Sequence, residues 1–468
     1  MASKTDKAIT PTGKHERTLS QLDLGLIWFG AAIAIAEIWA GGLPQLTSLG
    51  LGAGLVAILF GRIFGNGLMG AMAQIGAQTG LPNMVLTRPA FGVRGSYIPA
   101  FANLLQLIGW TGWMVFMTAE YIATLAKALD VHWDHGTWQL TVVAGGALCT
   151  IWALFFAGQW WWKWIERTST LLLLLLTIGM TVLIIQRTGL SGLSLPTGSS
   201  LGILVGMDIV IAMSVSWLPL VADYSRYAKP GKSGGTGTFW GYFIGGTWMY
   251  AAGLLVALAA HTDTPDTMVV EIMAAKGMAW VVIAVALVII STATTTFLDI
   301  YSAAVSAQNL WPAVSPRIGS VIVGVLGTAF GLFLNVYDYA PFLTAIGAIF
   351  LPAFTIVLVD HYVLSDRTVD ASELSRRKGK YWYSGGYNWR ALLAWLAGFL
   401  IYDWAQGFPS LLQLYKAITA FASALGQTLP VVNPAMKTFD YGASVPCILA
   451  TSVIYLILAG VFGSGRKR

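Results

Sequence analysis

Charge is what this chain has least of. Asp, Glu, Lys and Arg make up 10% of its 468 residues, against 56% apolar ones. A water-soluble domain carries roughly 25–35% charged residues on its surface, so a soluble fold is excluded. There are two cysteines, Cys149 and Cys447, both inside apolar stretches. They exclude a disulfide framework and read as small buried hydrophobes. The five histidines, His15, His132, His135, His261 and His361, fall in loops or at the edges of apolar runs. That placement argues against a histidine-based active site or metal centre. Walker A, dinucleotide-binding and zinc-type patterns are all missing. No cofactor is expected, and an enzyme reading has no convergent acids or histidines to rest on.

What the chain has is a nearly unbroken series of hydrophobic segments from Leu22 to about Gly460. Many approach the roughly 20 residues that cross about 30 Å of hydrocarbon. The sequence predicts an all-α membrane protein with twelve spans, at about 22–46, 53–74, 98–127, 139–158, 168–187, 202–225, 238–260, 279–305, 318–335, 341–362, 389–407 and 442–461. Residues 1–21 are polar and read as a cytosolic tail rather than a signal peptide. Residues 363–388 read as a cytosolic linker and 389–461 as the last two spans with an outer segment at 408–441, in which 411–425 forms a short interfacial helix. Residues 462–468 read as a second cytosolic tail.

Basic residues set the orientation. With the N-terminus inside, 21 of the 27 Lys and Arg residues face the cytosol, including Arg88, Arg94, Arg226, Arg317 and the run Arg376 to Lys380. This positive-inside bias predicts a multi-pass protein of the cell (inner) membrane with both termini cytoplasmic. The net charge of +6 then reflects basic loops facing anionic membrane lipid, not nucleic acid.

Two spans are interrupted in matching places. The first runs from Gly30 through Glu37, Trp39, Gly41 and Gly42 to Pro44, and the sixth from Met213 through Ser214, Ser216, Trp217 and Pro219 to Asp223. Glycine pairs and proline free backbone carbonyls, which are tolerated at membrane depth only where they line a protein cavity. The breaks are five spans apart. That spacing predicts two inverted five-helix repeats, 22–187 and 202–362, with the substrate site at the interrupted helices. An ordinary packing kink is the plainer alternative for either break alone.

Glu37 is a carboxylate at the depth of a break, costly unless paired or used. Two readings stand open. It forms an ion pair with Arg62 in the second span, or it accepts hydrogen bonds from an N–H-rich ligand, and Arg62 could hold it ionised for that purpose. In the third span Gln106 and Trp110 are four residues apart and share a helical face. One indole and one amide suit a flat heteroaromatic ligand, whose ring stacks while the amide matches its edge. Trp217 or a neighbour could cover the other face. In the eighth span Ser291, Thr294 and Thr295 stand at i, i+3 and i+4, so their oxygens converge on one face. Back-bonding to the helix's own carbonyls is the alternative. With freed carbonyls of the first span they would form a neutral oxygen cage suited to Na⁺.

These residues carry a resemblance. Trp39 with Gly41-Gly42, Ala77 to Leu81, Arg88-Pro-Ala-Phe91-Gly92, Gly95-Ser96, Gly109-Trp110 and Ala222-Asp223 to Tyr227 resemble the nucleobase:cation symporter-1 family of cytosine, purine, allantoin and hydantoin permeases. The resemblance implies a ten-helix, five-plus-five inverted-repeat (LeuT-like) core with broken first and sixth helices, working by alternating access. It also implies a sodium site built from the carbonyls of Gly30 and Ile33, the carbonyl of Ser291 and the hydroxyls of Thr294 and Thr295. Trp110 falls at the family's stacking position, and Ser214 and Trp217 occupy the region of the opposing aromatic. The chain departs from cytosine-type members in two places. It has Thr296-Phe297-Leu298 where they carry Asn-Asp-Asn, and Glu37 where they carry a small polar residue. Those departures resemble the branch assigned to hydroxymethylpyrimidine, the thiamine precursor. The expectation is therefore a Na⁺-coupled symporter that imports this pyrimidine and works as a monomer. The alternative is a cytosine, other nucleobase or hydantoin permease, with H⁺ as the other coupling ion.

Overall fold

The computed structural model describes residues 10–156, 162–188, 200–229, 233–260, 273–274, 276–311, 313–407 and 441–460. The outer segment around 411–425 lies outside the described residues, as do the side chains of Ser291 and Thr294. Among the described residues the fold is all-α. The main helices are α1 (Gln21–Ala32), α2 (Ile35–Gly41), α3 (Gly50–Thr79), α4 (Tyr97–Ala128), α5 (His135–Phe156), α6 (Trp162–Thr188) and α7 (Ser200–Ser216). They continue as α8 (Val221–Ser225), α9 (Ser233–Ala260), α10 (Met278–Leu310), α11 (Pro316–Gly331), α12 (Tyr339–Val359), α13 (Trp389–Ala405) and α14 (Ser444–Ala459).

The count of twelve spans is corrected. Among the described residues five helices are long and apolar enough to cross a membrane, or six if the bent pair α1–α2 counts as one. Hydropathy alone registers an apolar run whatever its helical length. The helices α11 and α14 have 16 residues each, which at 1.5 Å per residue gives about 24 Å, short of the roughly 30 Å core. The multi-pass membrane character itself stands. The outer face of α3 exposes Leu55, Val56, Leu59, Phe60, Ile63 and Phe64, a stripe that only lipid or another apolar surface would cover favourably.

The core gathers around the broken first segment. Helix α1 starts at a capping box, in which Ser20 Oγ accepts the Asp23 N–H at 3.2 Å and Asp23 accepts the Ser20 N–H at 2.9 Å. The chain bends by 61° between α1 and α2. The bend does not sit at Gly41-Gly42 or Pro44, where the sequence pattern places it. It sits at Ile33-Ala34: the Ile33 N–H closes a tight turn onto the Gly30 carbonyl at 3.1 Å, and Ala34 is extended with φ −133°. Gly42 instead terminates α2, and Pro44 opens a short following turn. Gly41 serves close approach, since a Cβ there would lie 2.2 Å from the Tyr250 carbonyl oxygen of α9. The second interruption matches its expected place. Helix α7 ends at Ser216, a turn carries Trp217 to Leu220, and α8 resumes at Val221.

Helices α1 and α3 both pack on α9, α3 on α7, and α4 on α10 and α11. This brings the two interruptions together against α4, α9 and α10. Cys149 and Cys447 are buried and unpaired. Two acids within apolar segments have structural partners. Glu120 accepts the Trp138 indole N–H at 2.8 Å. Asp208 accepts the Ala443 and Ser444 N–H groups at 2.7 and 2.9 Å, capping the start of α14.

Candidate substrate site

Between the two interruptions lies a narrow cavity lined by Ala31, Ala34, Ala36, Glu37, Trp110, Met114, Met213, Trp217, Thr295 and Asp299. Its volume is about 10 Å³, scarcely the room of one water. A heteroaromatic ring therefore enters only if side chains or helices move apart. Five helices, α1, α2, α4, α7 and α10, and the two interruptions contribute to this wall. The extended Ala34 and the turn at Trp217 are what allow the backbone to face the cavity instead of running past it.

Glu37 sits in this wall, 2% exposed. It forms an ion pair with Arg62, which is fully buried on α3. Its other carboxylate oxygen accepts a hydrogen bond from Tyr242 of α9. Arg62 also donates to the Ser214 hydroxyl at 3.4 Å and to the Gly246 carbonyl at 3.3 Å. The guanidinium is held between two rings, 5.0 Å from the Tyr242 centroid and 4.4 Å from that of Tyr250. Gly246 leaves the room for this, because a Cβ there would come within 2.5 Å of Arg62 Cζ. Tyr242 in turn accepts the Trp217 indole N–H at 2.6 Å. One chain of contacts thus links Trp217, Tyr242, Glu37 and Arg62. Each Glu37 oxygen has a second lone pair, so pairing with Arg62 and accepting from a ligand are compatible.

Trp110 stands edge-on to Tyr339 and Phe342 at centroid distances of 6.2 and 5.2 Å. Tyr339 is fixed by its hydroxyl, which donates to the Ala36 carbonyl at 2.9 Å. Trp217 is held edge-on to Trp28 at 5.5 Å. Both indoles are thus braced by rings behind them while they line the cavity. The remaining expected substrate residues are placed differently. Gln106 is buried, and it donates to the Ser216 carbonyl at 2.7 Å and to Asn103 at 3.1 Å. It satisfies a carbonyl freed by the second interruption instead of forming cavity wall. Ser214 donates to Asn66 at 2.8 Å beside Arg62, also behind the wall. Of the expected cation ligands, Thr295 lines the cavity, and Gly30 and Ile33 form the turn that ends α1. The helical backbone carries Ser291 and Thr294 on the same helix, α10, as Thr295.

Tyr242 and Asp299 were not expected in the site. Tyr242, Gly246 and Tyr250 recur every four residues, so they share one face of a helix with a gap between two rings. That is the slot Arg62 fills. The spacing was a usable signal.

Residues 11–426 match the family described as "Permease for cytosine/purines, uracil, thiamine, allantoin". The chain belongs to this permease family. Its relatives include the cytosine permease of Escherichia coli (strain K12), 25% identical over 398 residues, with 82% of this chain and 86% of the relative covered. The allantoin permease of Bacillus subtilis (strain 168) is 24% identical over 447 residues, covering 88% and 89%. The hydantoin permease of Microbacterium maritypicum is 23% identical over 458 residues, covering 92% and 89%. The fold is shared with the inward-facing conformation of Mhp1, with a TM-score of 0.75 at 18% identity over 97% of this chain and 93% of that one. The closed, bromovinylhydantoin-bound Mhp1 structure gives 0.73 at 18% identity, over 97% and 94%. A permease of this family moves a small molecule across the membrane and does not convert it chemically.

Proposed function

We propose that this permease is a cation-coupled secondary transporter that takes up a small planar nucleobase-like molecule. The observation that carries it is the cavity at the two helix interruptions, lined by Trp110, Trp217 and the Arg62-paired Glu37. The indoles supply flat apolar faces and the carboxylate an acceptor for a ring N–H or exocyclic amine. Cytosine or another nucleobase or hydantoin is the substrate class that the relatives favour. Hydroxymethylpyrimidine shares the amino edge that Glu37 would read, and it is the narrower reading. A competition panel tests both: labelled cytosine uptake against unlabelled aminopyrimidines, uracil, purines and hydantoins. Displacement by none of them refutes the substrate class. Displacement by the thiamine-precursor pyrimidine far below cytosine's own concentration selects the narrower reading.

Sodium is the proposed coupling ion. The carbonyls of Gly30, Ile33 and Ser291 and the hydroxyls of Thr294 and Thr295 would hold it. The Gly30 carbonyl keeps a lone pair after accepting from Ile33, and neutral oxygen ligands suit a hard monovalent cation. Coupling requires the ion and the substrate to stabilise the same state. Thr295 reaches the cavity from the helix that would carry the ion, so one side chain bears on both ligands. An inward-negative potential of about 100 mV adds roughly 2.3 kcal/mol per charge moved. Cytoplasmic termini in a cell (inner) membrane and the two-repeat division at 22–187 and 202–362 belong to the same proposal.

A further inference from the structure

Two acids line the cavity, and they are treated differently by the protein. Glu37 has Arg62 and Tyr242. Asp299 is 2% exposed on α10, one turn beyond Thr295, and its Oδ2 is buried with no hydrogen-bond partner. Among the described residues no Lys, Arg or His forms an ion pair with it. A buried carboxylate without a partner is costly, and within a membrane such a group is retained for a ligand or an ion. Glu37 and Arg62 cancel in charge, so Asp299 is the acceptor capacity that the cavity holds in excess.

We infer that Asp299 is a specificity-determining residue. It accepts hydrogen bonds from a second N–H edge of the substrate, so that the site takes an amino-substituted heteroaromatic ring in preference to its oxo analogue. The inference rests on the proposed nucleobase-like substrate. The two indoles cover flat faces, which leaves the ring edges for polar groups. In their ionised form, two carboxylates on different helices, α2 and α10, offer acceptors only. An exocyclic carbonyl against either would set acceptor against acceptor, whereas an amine satisfies one. The sequence around Asp299 gave no hint of this, because an acid near the end of an apolar span reads equally well as an interfacial anchor.

The test is binding to the purified full-length protein, with cytosine and uracil as probes, for wild type and Asp299→Asn. The amide keeps the shape and replaces one acceptor oxygen by a donor. Hydrogen bonds to a charged group correspond to about 10- to 150-fold in affinity. Cytosine should weaken by at least tenfold and uracil by less than threefold, with the melting temperature held or raised. If the amide variant does not purify, Asp299→Ser gives the same comparison. Equal losses for both probes, or no loss, overturn the inference. So does a shift in the sodium requirement with the cytosine-to-uracil ratio intact, which would assign Asp299 to the cation. Wild type that binds neither probe would refute the nucleobase reading itself, a result separate from any behaviour of the variant.

Discussion

Arg62 offers the sharpest perturbation of the site's framework. The side chain is fully buried, paired to Glu37 and set between Tyr242 and Tyr250. Arg62→Met removes the charge but keeps most of the length. Methionine sulfur against the two rings returns about 0.3–1.5 kcal/mol, so the lost ion pair dominates. Removing one member of a buried pair costs about 3–5 kcal/mol, because the other charge stays buried and uncompensated. Glu37 would keep only Tyr242. The double variant Arg62→Met with Glu37→Gln removes both charges, and replacing a whole buried pair is often close to neutral. The assay is thermal unfolding of the four purified proteins in one detergent. The single Arg62 variant should melt far below wild type, and the double variant should recover most of that loss. Their non-additivity is the coupling between the two residues. A single variant that melts like wild type, or a double variant that loses the sum of both singles, would refute the pair as the framework of the site.

Trp110→Ala should weaken ligand binding by at least the roughly 1 kcal/mol of an aromatic stack, about fivefold, with the protein still purifying intact; unchanged affinity in a titration would move the stacking face elsewhere. Thr295→Ala should raise the sodium concentration needed for half-maximal substrate binding, with recovery at high sodium; a flat sodium dependence in both proteins would remove sodium from the mechanism.

The membrane class and the interruption near Pro219 were legible because one follows from composition and the other from one residue's backbone chemistry. The bend at Ile33-Ala34 was not, since neither residue is a helix breaker and the tight turn onto Gly30 forms in a packed environment. Glu37 was legible as an acid at an odd depth, and Arg62 as its available counter-charge. Gln106 and Ser214 illustrate the opposite case. Helical spacing pointed to Gln106 and the family resemblance to Ser214, and the structure bonds each to a protein group, the Ser216 carbonyl for one and Asn66 for the other. Spacing fixes which way a side chain leaves its helix, and the competition for buried hydrogen bonds decides where it ends. The number of membrane-crossing helices failed for a related reason: apolar runs in sequence do not report where a helix starts and stops.

Uptake into proteoliposomes tests the central claim most directly. The purified protein is reconstituted, loaded with sodium-free buffer, and given labelled cytosine under an inward sodium gradient. The account predicts accumulation above the outside concentration, collapsing when the gradient is dissipated, with the same dependence for whichever ring the competition panel selects. Substrate that only equilibrates, at a rate indifferent to every imposed cation gradient, would contradict it.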